Sequence, residues 1–465
     1  MARECWTRRG GRLLIVANRL PVRPVPEAGR IAIQRSVGGL VSALGPLAER
    51  VGASWIGWDE GRSDLWRRLA PSRRGVLPFP ISPVRLAAPL HEPYYNGFCN
   101  ATLWPLLHSF LGRTEFNGDW FAAYASANRA FAARVRATAR PRDTIWIHDY
   151  HLMLVPRMLR EAGVRSRILF FLHIPFPSAD LFQHLPWRTE ILAGLASADA
   201  VGVQGPEHVR HLREALERFL PRGPAAGAAS ASRPAVRAVP ISIDTVRLSR
   251  LARSPDVLRR AQSVRDGFHG RHVVLSVERL DYSKGIAERL RAIELLLETR
   301  RDLRGRVSFL QLSVPSREGV RSYDRYRREI DEMVGRINGR FSRPEWVPIR
   351  YLFRSLPEAE LLAYYRAADV ALVTPLKDGM NLVAKEYIAA RGGKDGALVL
   401  SEFAGSAREL RGALLVNPHS AQHVAGAIRT AMEMPAAERR TRMAGMYRHL
   451  LRHTVHDWVR ECLAP

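Results

Sequence analysis

Short apolar, β-branched runs alternate along the chain with longer stretches whose apolar positions recur at helical spacing, the order of parallel α/β architecture. In the first half the pattern predicts strands at LLIVANR (13–19), TIWIHD (144–149), RILFFLHI (167–174), DAVGVQ (199–204) and AVRAVPISI (235–243). In the second half it predicts HVVLSVER (272–279), VSFLQLSV (307–314), IRYLF (349–353), VALVTP (370–375), ALVLSEF (397–403) and ALLVNP (413–418). Helices are expected over 115–139, 151–162, 205–219, 322–340, 357–367, 381–391 and 420–433. Strands this uniformly apolar imply sheets buried on both faces.

With 465 residues the chain is too long for one ordinary core and suits two domains. The boundary is placed just after PISID (240–244), near 246, and PRGPAAGAASASRP (221–234) reads as a turn-rich loop inside the first half. Doubly wound domains keep ligands at the carboxyl ends of their strands. Neither G-x-G-x-x-G nor a Walker A motif occurs, which argues against a dehydrogenase or a P-loop enzyme.

Composition narrows the class further. Cys5, Cys99 and Cys462 are odd in number and far apart, so they build neither a disulfide framework nor a zinc site, and a reducing compartment follows. The amino-terminal apolar run, LLIVA, is shorter than a signal-peptide core, and no stretch approaches a membrane span. A soluble cytoplasmic protein is the expectation. The formal charge of +26 raises nucleic acid as a partner, but the arginines form no stripe, arm or aromatic-interleaved patch, and none is expected. Lysine occurs only at 284, 377, 385 and 394, and the first three fall within polar clusters that follow strands. Where arginine fills nearly every other basic position, a compact ammonium has a reason to be there.

Four such clusters carry candidate chemistry. In SVERLDYSKG (276–285), Arg279 and Lys284 offer two cations of different geometry beside Gly285, a set able to hold a diphosphate; a solvated loop is the plain alternative. In TPLKDGMNLVAKE (374–386), Asp378-Gly379 makes a turn and the next helix opens its amides toward an anion, with Glu386 placed for sugar hydroxyls. Asp378 as a mere turn residue, and Lys385 with Glu386 as an exposed pair, is the alternative there. IHDYH (147–151) and FLHIPFP (171–177) end neighbouring strands. His148, Asp149 and His151 raise a metal site, but no further ligand recurs at a zinc spacing, so Asp149 and His173 fit better as hydrogen-bonders to a sugar, or as satisfied buried groups. The fourth cluster pairs NRLP (18–21) with the glycines of SVGGLVSAL (36–44) ahead of a helical pattern.

Together these segments resemble the trehalose-6-phosphate synthase family. The resemblance runs in order from about Leu13 to Trp458 through NR-L-P, GGL, W-I-G-W, YYNGF-N-LWP, W-I-H-D-Y-H-L, F-F-L-H-I-P-F-P, S-V-E-R-L-D-Y-S-K-G, P-S-R, G-R-I-N-G, L-V-T-P-L-K-D-G-M-N-L-V-A-K-E-Y and L-S-E-F-A-G. It implies an α/β fold of two facing Rossmann-like domains, the GT-B arrangement, with a C-terminal helix returning to the first domain. The implied division is 11–245, with about 450–465, as the acceptor domain and 246–449 as the nucleotide-sugar domain.

The resemblance also implies roles. Arg279 and Lys284 match the donor-diphosphate cations, acting in place of a metal. Leu356 aligns with a base contact, although RYLFRSL around it is less typical. Asp378, Gly379, Met380 and Asn381 match contacts to the donor sugar, Leu382, Val383 and Glu386 match diphosphate and ribose contacts, and Gly38 and Gly39 close on the donor from the first domain. Arg19, Tyr95 and Arg317 match binders of the acceptor phosphate, Trp58 and Trp104 the walls of its pocket, Asp149 an acceptor-hydroxyl contact, and His173 a contact near the reacting centre. Trp55 and Trp146 read as core. Two departures are W-D-E-G after Ile56-Gly57 and PISID for the usual PIGID.

The implied reaction is metal-independent, configuration-retaining transfer of glucose from UDP-glucose, or another nucleoside-diphosphate glucose, to glucose 6-phosphate. Catalysis would fall to Arg279, Lys284, Asp149, His173 and Asp378, with no cofactor. A sibling transferase with another phosphorylated acceptor, a noncatalytic regulatory homologue and a nucleic-acid binder are the competing classes. The first is separated by an acceptor panel. The second loses motif residues that this chain keeps, and the third rests on charge alone. Assembly into a homo-oligomer is left open.

Overall fold

The computed structural model describes residues 11–27, 30–35, 39–68, 79–220, 233–317 and 320–464. Gly38 and most of the 221–234 segment lie outside the described residues. The chain forms two compact units. One runs to Ile241 and takes in the C-terminal stretch from His456; the other is Ser242–Val455.

The first unit is built on strands β1 (Leu13–Arg19), β4 (Ser54–Trp58), β5 (Ile81–Val84), β6 (Thr144–His148), β7 (Arg167–Phe171), β8 (Ala200–Val203) and β9 (Ala235–Ala238), with the hairpin β2 (Val22–Glu27) and β3 (Arg30–Arg35) beside them. The seven-stranded sheet has the order β5-β4-β1-β6-β7-β8-β9, and every pairing in it is parallel. The chain therefore leaves β1 toward one edge and returns on the other side of it at β6. That makes the carboxyl ends of β1 and β6 the topological switch point, where open α/β sheets hold ligands.

The second unit repeats the scheme with β10 (His272–Arg279), β11 (Val307–Val314), β12 (Ile349–Phe353), β13 (Val370–Val373), β14 (Ala397–Ser401) and β15 (Leu414–Val416). Their order is β12-β11-β10-β13-β14-β15, again all parallel, so its switch point lies between β10 and β13. The two founding strands share one burial pattern. In both β1 and β10, six consecutive residues are buried and the last, an arginine, is exposed. A strand sandwiched between helix layers must be apolar throughout, and its end is the first place a charge can reach water.

Several strands end earlier than the apolar runs suggest. β6 stops at His148 because Asp149 takes a left-handed backbone, φ +75°. β9 and β13 stop short of Pro240 and Pro375, which have no N–H to give a ladder. The hairpin, β4 and β5 are additional to the expected strands. So is a π-helix over Glu92–Leu103, whose wider turn carries Tyr94 and Tyr95. Trp55 and Trp146 are fully buried core, as expected.

The C-terminal region is two helices rather than one. Helix Ala436–Arg452 belongs to the second unit, and helix Val455–Leu463 packs on the first, where Trp458 is buried against Trp146 with ring centroids 5.1 Å apart. Among the described residues no helix is long and apolar enough to cross a membrane.

Candidate functional site

At the second switch point the loop after β10 folds around a buried carboxylate. Asp281 is wholly enclosed and accepts from the Ser283 backbone N–H at 3.0 Å and its hydroxyl at 2.9 Å. Arg317 donates to its Oδ2 from 2.7 Å, and Arg279 Nη2 stands 4.0 Å from the same oxygen. Burial alone would raise this carboxyl, but Arg317, Arg279 and Lys284 outweigh it and hold Asp281 ionised, well below the usual carboxylate range. Arg279 itself is exposed at the strand end.

Lys284 reaches across to the loop after β13 and donates to Asp378 Oδ2 at 2.6 Å. Its position is set from behind. Arg289, buried, donates to the Lys284 carbonyl at 3.2 Å, to Thr374 Oγ1 at 3.0 Å and to Glu278 Oε1 at 2.5 Å. Gly285 follows with φ +66°, and a Cβ there would collide with the Thr374 carbonyl oxygen, so only glycine lets the two loops meet.

Asp378 also orders its own turn. It accepts from Met380 N at 3.3 Å and from the Asn381 amide at 3.2 Å. Asn381, with φ +72°, caps helix Leu382–Arg391 by accepting from Ala384 N at 3.2 Å. A Cβ on Gly405 would collide with the Gly379 carbonyl oxygen, which pins the turn against the chain after β14. Within that helix, Glu386 accepts from the Tyr365 hydroxyl at 2.9 Å, and burial raises its carboxyl above the ordinary value despite that bond. Leu382 and Val383 open the helix half-buried, and Leu356 packs half-buried before helix Glu358–Ala367. Lys385 turns inward instead and pairs with Glu409 at 2.5 Å, which separates it from the site.

The first switch point is made mostly of rings, with one exposed ion pair. Arg19, exposed at the end of β1, meets Glu60 at 3.2 Å and donates to the Tyr95 hydroxyl at 3.0 Å. Tyr95 stacks on His151 at 5.9 Å and lies 6.2 Å from Trp58, whose indole N–H is buried without a hydrogen-bond partner. Trp104 is buried against Tyr150, 5.7 Å away. Asp149, one residue past β6, accepts from the backbone N–H of His173 at 3.2 Å. The His173 ring bonds that of His148, Nε2 to Nδ1, at 3.1 Å. Burial keeps both imidazoles neutral, pulling His173 down to about 3 and His148 well below its ordinary value, the latter lowered further by its partner.

The structure thus gathers Arg19, Trp58 and Tyr95 in one cluster and Asp149 and His173 in another, with Trp104 packed on Tyr150, the residue after Asp149. It gathers Arg279, Lys284, Asp378 and Asn381 with Arg317 around the second switch point. Arg317 is the outlier among the expected phosphate binders: its side chain is 2% exposed, bonded to Asp281 and Tyr323 rather than presented at a surface. Gly39 begins helix Gly39–Val51. Among the described residues six non-glycines adopt positive φ, and four of them, Glu60, Asp149, Arg317 and Asn381, stand in these clusters. Backbone strain of this kind collects where a site over-determines the chain. Asp281 and Glu60 are participants that motif reading passed over; the signals were the D of L-D-Y-S-K-G and the departure W-D-E-G. Among the described residues no group of three or more His, Cys, Asp or Glu side chains is arranged to hold a metal ion.

The model of glycosyltransferase family 20 matches residues 11–465. The trehalose-6-phosphate synthase of Mycobacterium avium is 43% identical, with 97% of this chain and 94% of that protein covered. The structure superimposes on the UDP-forming α,α-trehalose-phosphate synthase of Burkholderia xenovorans in complex with glucose 6-phosphate, with TM-score 0.86 and 35% identity over 97% of this chain and 98% of that one. An E. coli protein of the same kind, bound with UDP-2-fluoro glucose, gives TM-score 0.86 and 33% identity over 97% and 99%. With two parallel-sheet α/β units and a family match over nearly its whole length, the chain belongs to glycosyltransferase family 20.

Proposed function

We propose that this enzyme is a UDP-forming α,α-trehalose-phosphate synthase, moving glucose from UDP-glucose to glucose 6-phosphate with retention of configuration. The observation that carries the reading is the first switch point: an exposed arginine bonded to a phenol, next to a buried indole N–H that lacks a partner. Arg19 and Tyr95 supply charge-assisted and phenolic hydrogen bonds to a phosphate, while Trp58 and Trp104 offer faces and donors to the sugar it is attached to. Arg317, held by Asp281 through Nη1, is the third phosphate binder in this reading.

The second unit serves the donor. Arg279 and Lys284 meet the diphosphate, Asp378 and the turn through Gly379, Met380 and Asn381 hold the glucose hydroxyls, and Glu386 takes the ribose, with Leu382 and Val383 beside it and Leu356 at the base. Gly38 and Gly39 belong to the same donor site in this reading. The bond from the anomeric carbon to the diphosphate oxygen breaks as the bond to the acceptor hydroxyl forms on the same face. The acceptor's proton passes to the departing diphosphate. In this reading Asp378, tied to Lys284 and Asn381, holds hydroxyls and does not attack carbon. The two cations stabilise negative charge as it grows on the leaving group, the work a metal does elsewhere. No cofactor is required, and the substrates suit a cytoplasmic enzyme.

A donor panel of UDP-, ADP- and GDP-glucose against glucose, glucose 6-phosphate and glycerol 3-phosphate, with products identified by NMR, tests this. Trehalose 6-phosphate should form from UDP-glucose, and glucose should be poorer than glucose 6-phosphate by roughly 10⁴ in kcat/KM, because it gives the phosphate-binding donors nothing to bond. Equal use of the two acceptors would overturn the acceptor site, and loss of turnover on chelation, restored by a divalent ion, would overturn metal independence.

A further inference from the structure

His148 lies outside the set expected to touch substrate, yet it is completely buried and, among the described residues, its only ring hydrogen bond is to His173. The two imidazoles pack with Trp146, Phe171 and Trp458, the last brought in by the C-terminal helix. Among the described residues no carboxylate is within ion-pairing distance of either ring. Both are therefore neutral, and a neutral pair joined by one N–H···N bond must have one donor and one acceptor.

The packing decides which is which. In this cluster two buried side-chain polar atoms have no hydrogen-bond partner, His148 Nε2 and Trp458 Nε1, and their rings lie 6.5 Å apart. An indole nitrogen only donates. A proton on His148 Nε2 would leave two buried, unsatisfied donors in one cluster of rings, each a penalty to the fold. A lone pair there puts the His148 proton into the bond with His173 instead, so the indole N–H is not joined by a second unsatisfied donor. His148 then carries its proton on Nδ1, donates it to His173 Nε2, and leaves His173 with Nδ1–H as its single donor.

We propose that His148 is a positioning residue that fixes His173 as an Nδ1–H donor, and that Trp458 fixes His148 in turn. This rests on the reading that His173 stands at the reacting sugar. It makes His173 a hydrogen-bond donor to a substrate oxygen, not the base that receives the acceptor's proton, in keeping with transfer of that proton to the departing diphosphate. The C-terminal helix thereby gains a chemical role, because its indole sets the tautomer of His173 through His148.

Long-range ¹H–¹⁵N correlation on the full chain, with ¹⁵N-labelled histidine, reads the tautomers directly. Resonances are assigned by their loss in His148→Phe and His148→Asn. The expected spectrum has both His148 and His173 protonated at Nδ1. His148→Phe should lower kcat by about 100-fold, the typical loss for one misdirected donor, with little change in KM. His148→Asn keeps an N–H near the Nδ1 position and should recover at least about tenfold of that loss. Trp458→Phe should leave His173 in a mixture of tautomers. A wild-type His173 protonated at Nε2, or equal losses in the Asn and Phe variants, would overturn the proposal. If His148→Phe fails to fold, the wild-type and Trp458→Phe spectra decide it. A wild type inactive with UDP-glucose and glucose 6-phosphate would instead sink the proposed function, with the tautomer spectrum still readable.

Discussion

β1 and β10 are built alike, six buried residues and a terminal exposed arginine, but what surrounds each arginine differs. Arg279 stands in a ring of fixed charges: Asp281 with Arg317, and Lys284 with Asp378. Arg19 stands among aromatic rings, with Glu60 as its ionic contact, while the neutral histidines lie at the end of β6, His148, and just past β7, His173. The first arrangement holds cations rigid before any ligand comes, which is what stabilising charge on a leaving group requires. The second presents donors and ring faces, which suits recognition of a sugar by shape and hydrogen bonds. One strand design, in two electrostatic settings, supports two roles.

The sharpest way to break that contrast is to remove one arginine from each setting, the buried Arg317 and the exposed Arg19. Arg317→Ala leaves Asp281 enclosed with only the more distant charges of Arg279 and Lys284 against it, and breaking a buried pair this way costs roughly 3–5 kcal/mol. Arg19→Ala removes an exposed group from an exposed contact and should change stability by less than about 1 kcal/mol. Denaturant unfolding of both variants measures the difference. Equal, small losses would mean that Arg317 is not the anchor its burial indicates.

Next in size is turnover. Lys284→Ala and Arg279→Ala should each lower kcat by about 10² to 10³, since a cation at the leaving group acts mainly in the transition state. Lys284→Arg should not restore it, because a forked guanidinium cannot take the place of a compact ammonium 2.6 Å from Asp378. Steady-state kinetics with more than a tenth of wild-type turnover in either alanine variant would remove the assigned role.

How legible these parts were follows from how local their causes are. The span of β10 and the place of Arg279 were readable because an uninterrupted apolar run ending in a charge has one meaning in a doubly covered sheet. Lys284 stood out because arginine fills almost every other basic position. Asp281 was not readable: its partner Arg317 arrives from beyond β11, and a lone Asp in a loop looks like a turn residue. The π-helix carrying Tyr95 has no apolar period that single-sequence reading can match, and its width is settled by what it packs on, such as Tyr94 bonded to Asn18 at 2.7 Å. Trp458 could be matched as part of a family pattern, but that it would face His148 and His173 depended on the chain turning at residues 453–454 to send a new helix back to the first unit.

The smallest effect expected is also the one that separates the regions by pH. His148 and His173 are neutral when folded, with pKa values below the ordinary 6.5, whereas the unfolded chain protonates them near that value. The unfolded state then binds more protons, so stability is full above about pH 6.5 and falls as pH drops toward His173's folded value of about 3. At pH 5 the loss is about 2 kcal/mol for His173. Asp281 has the opposite origin: its folded pKa lies below the ordinary 3.8, so its contribution is present above that value and is lost only as pH falls below about 4. Between pH 6.5 and 5 the strands β6 and β7 should therefore lose hydrogen-exchange protection, after correction for intrinsic rates, while β10 and the loop around Asp281 keep theirs. Replacing both histidines by phenylalanine and asparagine in turn should flatten the first dependence and leave the second untouched. Uniform loss across both sheets would show that the neutral pair is not what makes the first unit sensitive to acid.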